Sequence, residues 1–172
     1  MKTISLLLAT LLLCACSTHY PNRNPVNEVF PTVTGNNLQQ ETIELPSHLK
    51  GEQALLLLGY KQNSQFDIDR WLIGLDMTNT KVKVYETPTM QGFLPKLFSE
   101  QIDNGMRKGI PSALWKIVIT VYENGDLIQA FTGNENPNNA RVVLLDEKGN
   151  VHYFYDQGFS VDALNTLRKA LI

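Results

Sequence analysis

Apolar and polar positions follow two rhythms along this chain, and the rhythm changes at clusters of Gly, Pro or Asn. Ala54 to Gly59 (ALLLLG) is a continuous apolar run. A short run apolar on both faces predicts a central, buried strand. Glu41-Thr42-Ile43-Glu44-Leu45 alternates and stops at Pro46, which predicts a short edge strand. Residues 81–86 (KVKVYE) alternate as well, with Val82 and Val84 on one face. Residues 117–122 (IVITVY) are rich in β-branched side chains and predict another strand. Arg141 to Leu145 (RVVLL) and Val151 to Tyr155 (VHYFY) flank the turn residues Asp146-Glu147-Lys148-Gly149-Asn150 and predict a hairpin.

A longer period governs the rest. Ile68, Trp71, Leu72 and Leu75 share one helical face, and Asn63 or Ser64 can cap that helix. Asp67 and Asp69 suit its positive end. Leu94, Leu97, Phe98, Ile102 and Met106 form a second face that Gly109 can close. Ser160 caps a last helix with Val161, Leu164, Leu167 and Leu171 as its stripe. Residues 123–133 admit two readings. Asn124-Gly125 is a strong hairpin signal, yet Leu127, Ile128, Ala130 and Phe131 also fit a short helix ending at Gly133. Strands alternating with helices, then a hairpin and a terminal helix, predict an α/β fold with a mixed sheet.

The first residues follow neither rhythm. Lys2 precedes an apolar run over residues 4–13, broken only by Ser5 and Thr10. Ten residues cannot cross a hydrocarbon core, which needs about 20 in a helix. A basic start, a short apolar core and small residues after it predict a secretory signal over residues 1–15. Leu13-Cys14-Ala15-Cys16 resembles a bacterial lipobox, with an apolar residue three before a cysteine and a small one directly before it. The resemblance implies that Cys16 becomes the acylated first residue, carrying chains such as palmitate, while Cys14 leaves with the signal. Ser17, not Asp, follows the acceptor, and by similarity to Gram-negative sorting rules this implies the outer membrane, with the domain in the periplasm. Residues 16–28 are polar, with Pro21 and Pro25, and predict a flexible tether. Its twelve residues after Cys16 span at most about 40 Å, at roughly 3.3–3.6 Å each. Residues 29–172 then form one domain.

Charge narrows the function. The formal net charge is −2, and loss of Lys2 makes it −3. No basic cluster offers a footprint for nucleic acid. His19, His48 and His152 are too scattered to predict a metal site. Asp67, Asp69 and Asp76 read as the solvated face of a helix, Arg107-Lys108 as a solvated helix end, and Trp71 and Trp115 as core. No phosphate loop, dinucleotide fingerprint or nucleophile elbow is present, so no cofactor is expected.

The order of elements, Val142-Val143-Leu144-Leu145-Asp146-Glu147-Lys148-Gly149-Asn150-Val151 and the ending from Gly158 resemble the thioredoxin-like superfamily in its peroxiredoxin and thiol-reductase form, over residues 30–172. The resemblance implies a central mixed sheet flanked by helices, and a strand, tight turn and short helix over residues 122–133. A weaker similarity, carried by Gly105-Met106-Arg107-Lys108-Gly109-Ile110-Pro111, Trp115 and Thr120-Val121-Tyr122, is to the mitochondrial ATP-synthase assembly-factor family.

Thioredoxin-like enzymes place a nucleophilic cysteine after the central strand, where the helix dipole lowers its pKa. Here that position falls within residues 61–66 (KQNSQF), and Ser64 is the nearest isostere. The family's cis-proline lies six residues before the hairpin Asp, which gives Ala140; the nearest proline is Pro137. Both landmarks are missing. The resemblance therefore implies a redox-inactive domain that binds an envelope protein and is held to the membrane by its lipid. Asn63, Ser64, Gln65, Phe66, Pro137 and Ala140 would form the contact patch. An assembly or maturation factor for an envelope complex is the alternative, and an enzyme of non-thiol chemistry is a third reading.

Overall fold

The structure is a computed structural model and describes residues 18–171. Cys14, Cys16 and the apolar run 4–13 lie outside the described residues. In chain order the strands are β1 (Val33–Asn37), β2 (Thr42–Leu45), β3 (Ala54–Gly59), β4 (Lys83–Pro88), β5 (Ile119–Thr120), β6 (Arg141–Leu145) and β7 (Val151–Tyr155). The helices are α1 (Gln65–Met77), α2 (Phe93–Leu97), α3 (Ser99–Gly109), α4 (Gly125–Thr132) and α5 (Val161–Ala170).

Four strands form the main sheet, in the order β4-β3-β6-β7. β3 runs parallel to β4, with Leu56 opposite Tyr85, and antiparallel to β6, with Leu56 opposite Val143. β6 and β7 are the antiparallel hairpin expected from the sequence. Successive leucines of β3 point to opposite faces, and both faces are covered. Leu56 and Leu58 pack with Phe30, Ile119 and Ile128, whereas Leu55 and Leu57 pack with Ile68, Trp71, Leu75, Leu164 and Leu167. Two-sided burial is the reason ALLLLG shows no polar alternation.

A smaller sheet, β2-β1-β5, lies beside the β4 edge and is linked to it by the bridges Glu86–Val118 and Thr89–Val121. β1 was not legible from the pattern, because Val33-Thr34-Gly35-Asn36-Asn37 carries a Gly and two Asn, which strands disfavour. Its buried Asn37 turns the chain: Oδ1 accepts from the amides of Gln39 and Glu41. β5 is shorter than residues 117–122, since Ser112–Ile117 is a 3-10 helix. Residues 125–132 are helical, as the resemblance implied, and Asn124 enters them in the left-handed region at φ 60°.

The helix expected around Leu94 to Met106 departs from its pattern. It is split at Phe98 into α2 and α3, and Leu94, Leu97 and Phe98 are exposed. The stripe turned toward the body is Ser99, Asp103 and Arg107, at i, i+4 and i+8. The Tyr122 hydroxyl donates to Asp103 Oδ1 at 2.6 Å and to the Ser99 carbonyl at 3.2 Å, and Arg107 Nε donates to the Leu38 carbonyl at 2.8 Å. Polar anchoring of α3 fixes its rotation and leaves the apolar side of α2 outward. Burial beside the Asp103 carboxylate pushes the Tyr122 hydroxyl far up from its ordinary pKa, so it stays a donor.

Other expectations also change. Trp71 is core, but Trp115 is only half-buried. Arg107 is a half-buried anchor and not a solvated helix end. The stretch expected to be a free tether is bonded to the domain from Thr18 onward, because its peptide groups pair with the side chain of the buried Asn134. No helix among the described residues is long and apolar enough to cross a membrane.

Leu57→Ala, at a fully buried position, is expected to cost about 2–5 kcal/mol. Urea unfolding would read this as a lower midpoint at unchanged slope. Ile73→Ala, on the exposed side of α1, should stay within about 0.5 kcal/mol of the parent.

Candidate functional site

The candidate site sits where β3 ends and α1 begins. Lys61 leaves the strand extended, Gln62–Ser64 make one 3-10 turn, and α1 starts at Gln65. Ser64 does not cap the helix with its side chain. Its hydroxyl donates back to the Lys61 carbonyl at 2.6 Å, and the residue is buried. The oxygen that stands where a thiol would act is thus committed inward, packed against Gly59, where an added Cβ would lie 2.7 Å from it. An activated hydroxyl needs an adjacent base, and the hydrogen bond of Ser64 ends on a carbonyl instead.

Asp67 holds the junction together. Its carboxylate is buried, accepting from the Ala140 amide at 2.9 Å through Oδ2 and from the Phe159 amide at 2.7 Å through Oδ1. This corrects its assignment to a solvated helix face. One residue of α1 fixes both the entry to β6 and the approach to α5. The structure therefore brings residues 63–66 and the turn before Ala140 to the same end of the sheet. Asn63, Gln65 and Phe66 are exposed, with Phe66 70% accessible, and Pro137 is half-buried. Gln65 reaches Asp69 and Glu86 through its side-chain amide at 2.9 and 3.1 Å. Burial raises the Glu86 carboxyl above its ordinary pKa, against the Gln65 bond. Ser64 and Ala140 are buried, so they shape the patch without offering side chains to a partner.

Beneath the patch lies a polar cluster that the sequence reading missed. Tyr60 follows β3, and its hydroxyl lies 2.5 Å from Thr132 Oγ1. Arg141, the first residue of β6, is fully buried, with its guanidinium 4.8 Å from the Tyr60 ring centroid. Stacking of this kind stabilises a desolvated cation. Arg141 Nη1 donates to the Asn136 and Asn139 carbonyls at 2.5 and 3.0 Å, and Nη2 to Asn22 Oδ1 at 3.3 Å. Its Nε has no partner among the described residues. Burial pulls the guanidinium down from its ordinary range and pushes the Tyr60 hydroxyl well up, so Tyr60 is neutral. Burial also raises the Asp156 carboxyl. A charged residue leading an otherwise apolar strand was the available signal: buried arginines need carbonyls around them.

The residues behind the weaker similarity form a different place. Arg107 lies 5.8 Å from the Trp115 ring centroid, and both line an open cleft with Leu38, Glu41 and Ser112. The Trp115 indole donates to the Ile110 carbonyl at 2.9 Å.

No sequence-family profile matches the chain, and no curated protein matches it either. Solved structures do. The thioredoxin domain of a thiol-disulfide oxidoreductase from Bacteroides vulgatus aligns at TM-score 0.56 and 14% identity, over 87% of this chain and 100% of that one. A thiol peroxidase from Chromobacterium violaceum aligns at TM-score 0.53 and 12% identity, over 88% and 90%. A SCO1/SenC family lipoprotein from Bacillus anthracis aligns at TM-score 0.56 and 12% identity, over 87% and 97%. These likenesses show a thioredoxin-like fold, a central mixed sheet flanked by helices.

Asp67→Ala removes a charged acceptor from two backbone amides. Each such bond contributes about 1.5–3 kcal/mol. Hydrogen exchange should show the Ala140 and Phe159 amides losing protection ahead of the β3 amides, and Asp67→Asn should give an intermediate loss.

Proposed function

We propose that this protein is a lipid-anchored thioredoxin-like domain of a bacterial envelope that has no redox chemistry and acts by binding a polypeptide. The observation that carries this reading is the junction of β3 and α1. No cysteine occurs after Cys16 in the sequence, and the oxygen in the reactive position is bonded to the Lys61 carbonyl. What the junction offers to solvent is the apolar ring of Phe66 together with the exposed side chains of Asn63 and Gln65. Such a surface suits an extended chain, whose backbone can pair with amides while an apolar side chain meets the ring.

The anchor rests on Leu13-Cys14-Ala15-Cys16, and Ser17 favours the outer membrane. The similar protein from Bacillus anthracis is itself named a lipoprotein. The alternative role, an assembly or maturation factor for an envelope complex, uses the same tethered domain and differs in its partner. The Arg107–Trp115 cleft, which holds the residues of the weaker similarity, is the surface that would serve it.

Purified acylated protein should show neither insulin reduction nor peroxide turnover, and Ser64→Ala should leave its cellular phenotype unchanged. A photo-crosslinking side chain placed at Phe66 should trap polypeptide in intact cells. One stoichiometric complex supports the assembly factor, a spread of unfolded clients supports a holding module, and no adduct overturns the patch. Turnover abolished by Ser64→Ala would overturn the whole reading.

A further inference from the structure

We propose that α2 is a second membrane contact, seated in the interface of the same leaflet that receives the acyl chains of Cys16. The proposal rests on the lipid anchor proposed above. Phe93, Leu94, Leu97 and Phe98 are 71%, 60%, 58% and 50% exposed, and all four belong to one helical turn and its exit. Large apolar groups gathered in this way mark a surface that is covered by something.

Where the described chain begins says what covers it. The Thr18 carbonyl accepts from Asn134 Nδ2 at 2.8 Å and from Gln91 Nε2 at 3.4 Å. Gln91 is two residues before Phe93, about 7 Å of backbone at roughly 3.3–3.6 Å per residue, so the chain enters the domain one glutamine side chain and one hydrogen bond away from the segment that leads into α2. The entry is held further along. The Tyr20 amide donates to Asn134 Oδ1 at 2.8 Å, the Tyr20 carbonyl accepts from the Asn134 amide at 2.9 Å, and the Glu135 amide donates to Asn22 Oδ1 at 3.0 Å. Gly133, at φ +79°, leaves room for this strap: a Cβ there would lie 2.2 Å from Asn22 Cα.

The reach of the anchor shrinks accordingly. Thr18 is two residue steps from Cys16, with Ser17 alone between them, which is about 7 Å, against about 40 Å for twelve free residues. The polar zone of a leaflet is itself about 5–7 Å deep, taken as half the difference between total and hydrocarbon thickness. A domain held by Thr18 cannot stand clear of the headgroups, and the exposed apolar residues of α2 begin two residues after Gln91, which holds the Thr18 carbonyl. Phe and Leu on one turn are what an interfacial helix inserts. The only lysine in α2, Lys96, is paired with Glu123 at 2.6 Å, so the contact is apolar and does not call for anionic lipid.

The test uses acylated protein reconstituted in phosphatidylcholine vesicles. A single cysteine is introduced as Leu94→Cys, or as Ile73→Cys on α1, which covers the other face of the sheet, and is labelled with an environment-sensitive dye. Acylated Cys16 carries no free thiol, so the parent protein should take no label and should float with the vesicles. The dye at position 94 should then brighten several-fold with a blue shift and be quenched by spin-labelled lipid, while the dye at 73 should do neither. Flotation with position 94 as water-accessible as position 73 overturns the α2 contact and leaves the anchor standing. A parent that takes the label and stays soluble overturns the anchor and, with it, this inference. A dye at 94 already bright in an unacylated Cys14→Ser, Cys16→Ser, Leu94→Cys protein without vesicles shows the face covered by protein, which also overturns it.

Discussion

A buried carboxylate is costly to desolvate unless donors surround it, and in this fold Asp67 meets that condition with two backbone amides from distant parts of the chain. Ala140 and Phe159 both donate to it, at 2.9 and 2.7 Å. Those two bonds join the first turn of α1, the start of β6 and the lead into α5 at one end of the sheet. The candidate patch inherits its geometry from them. Residues 63–66 cannot shift without moving α1, and the turn at residues 136–140 cannot open without freeing an amide in a buried site. The patch is therefore presented as a fixed surface, which favours recognition by shape over closure around a substrate.

The parts legible in the sequence were those where one-dimensional pattern and burial coincide. β3 and β6 are buried on both faces, so their apolar runs announced them. The hairpin turn was legible because Asp146 serves its own neighbours: Oδ1 accepts from the Lys148 and Asn150 amides at 2.9 and 2.8 Å. Counting from the end of β3 and back from Asp146 gives residues 63–66 and Ala140, which the structure places at one end of the sheet. What stayed hidden depends on partners remote in sequence. Asp67 reads like any first-turn carboxylate until Ala140, 73 residues away, supplies an amide. The stripe of Leu94, Leu97, Phe98, Ile102 and Met106 reads like a core face. Its orientation is decided by Asp103 meeting Tyr122 and by Arg107 meeting Leu38, which no local period can contain.

A serine in place of a thiol is a small change in volume and a large one in chemistry. Its hydroxyl is a short, strong hydrogen-bonding group that needs a partner when buried, whereas a thiol tolerates apolar surroundings. The Lys61 carbonyl, one turn back, supplies that partner. Replacing sulfur by oxygen at this junction therefore stabilises the loop itself and turns the side chain away from solvent. Tyr60, which follows β3, has the Arg141 guanidinium 4.8 Å from its ring centroid.

Arg141 also connects the patch to the N-terminal strap. The same guanidinium that holds the carbonyls of Asn136 and Asn139 donates to Asn22 Oδ1, and Tyr60 beside it meets Thr132, whose carbonyl accepts from the Arg23 amide at 3.4 Å. Peeling the strap from the domain would leave Arg141 with one partner fewer in a dry site, where each unmet donor costs about 1–3 kcal/mol. Strap and patch loop are thus bound to a common cation, and pulling on one is felt by the other. Under the proposed lipid anchor, that coupling would make the distance from the bilayer and the shape of the loop at residues 136–140 parts of a single mechanical element.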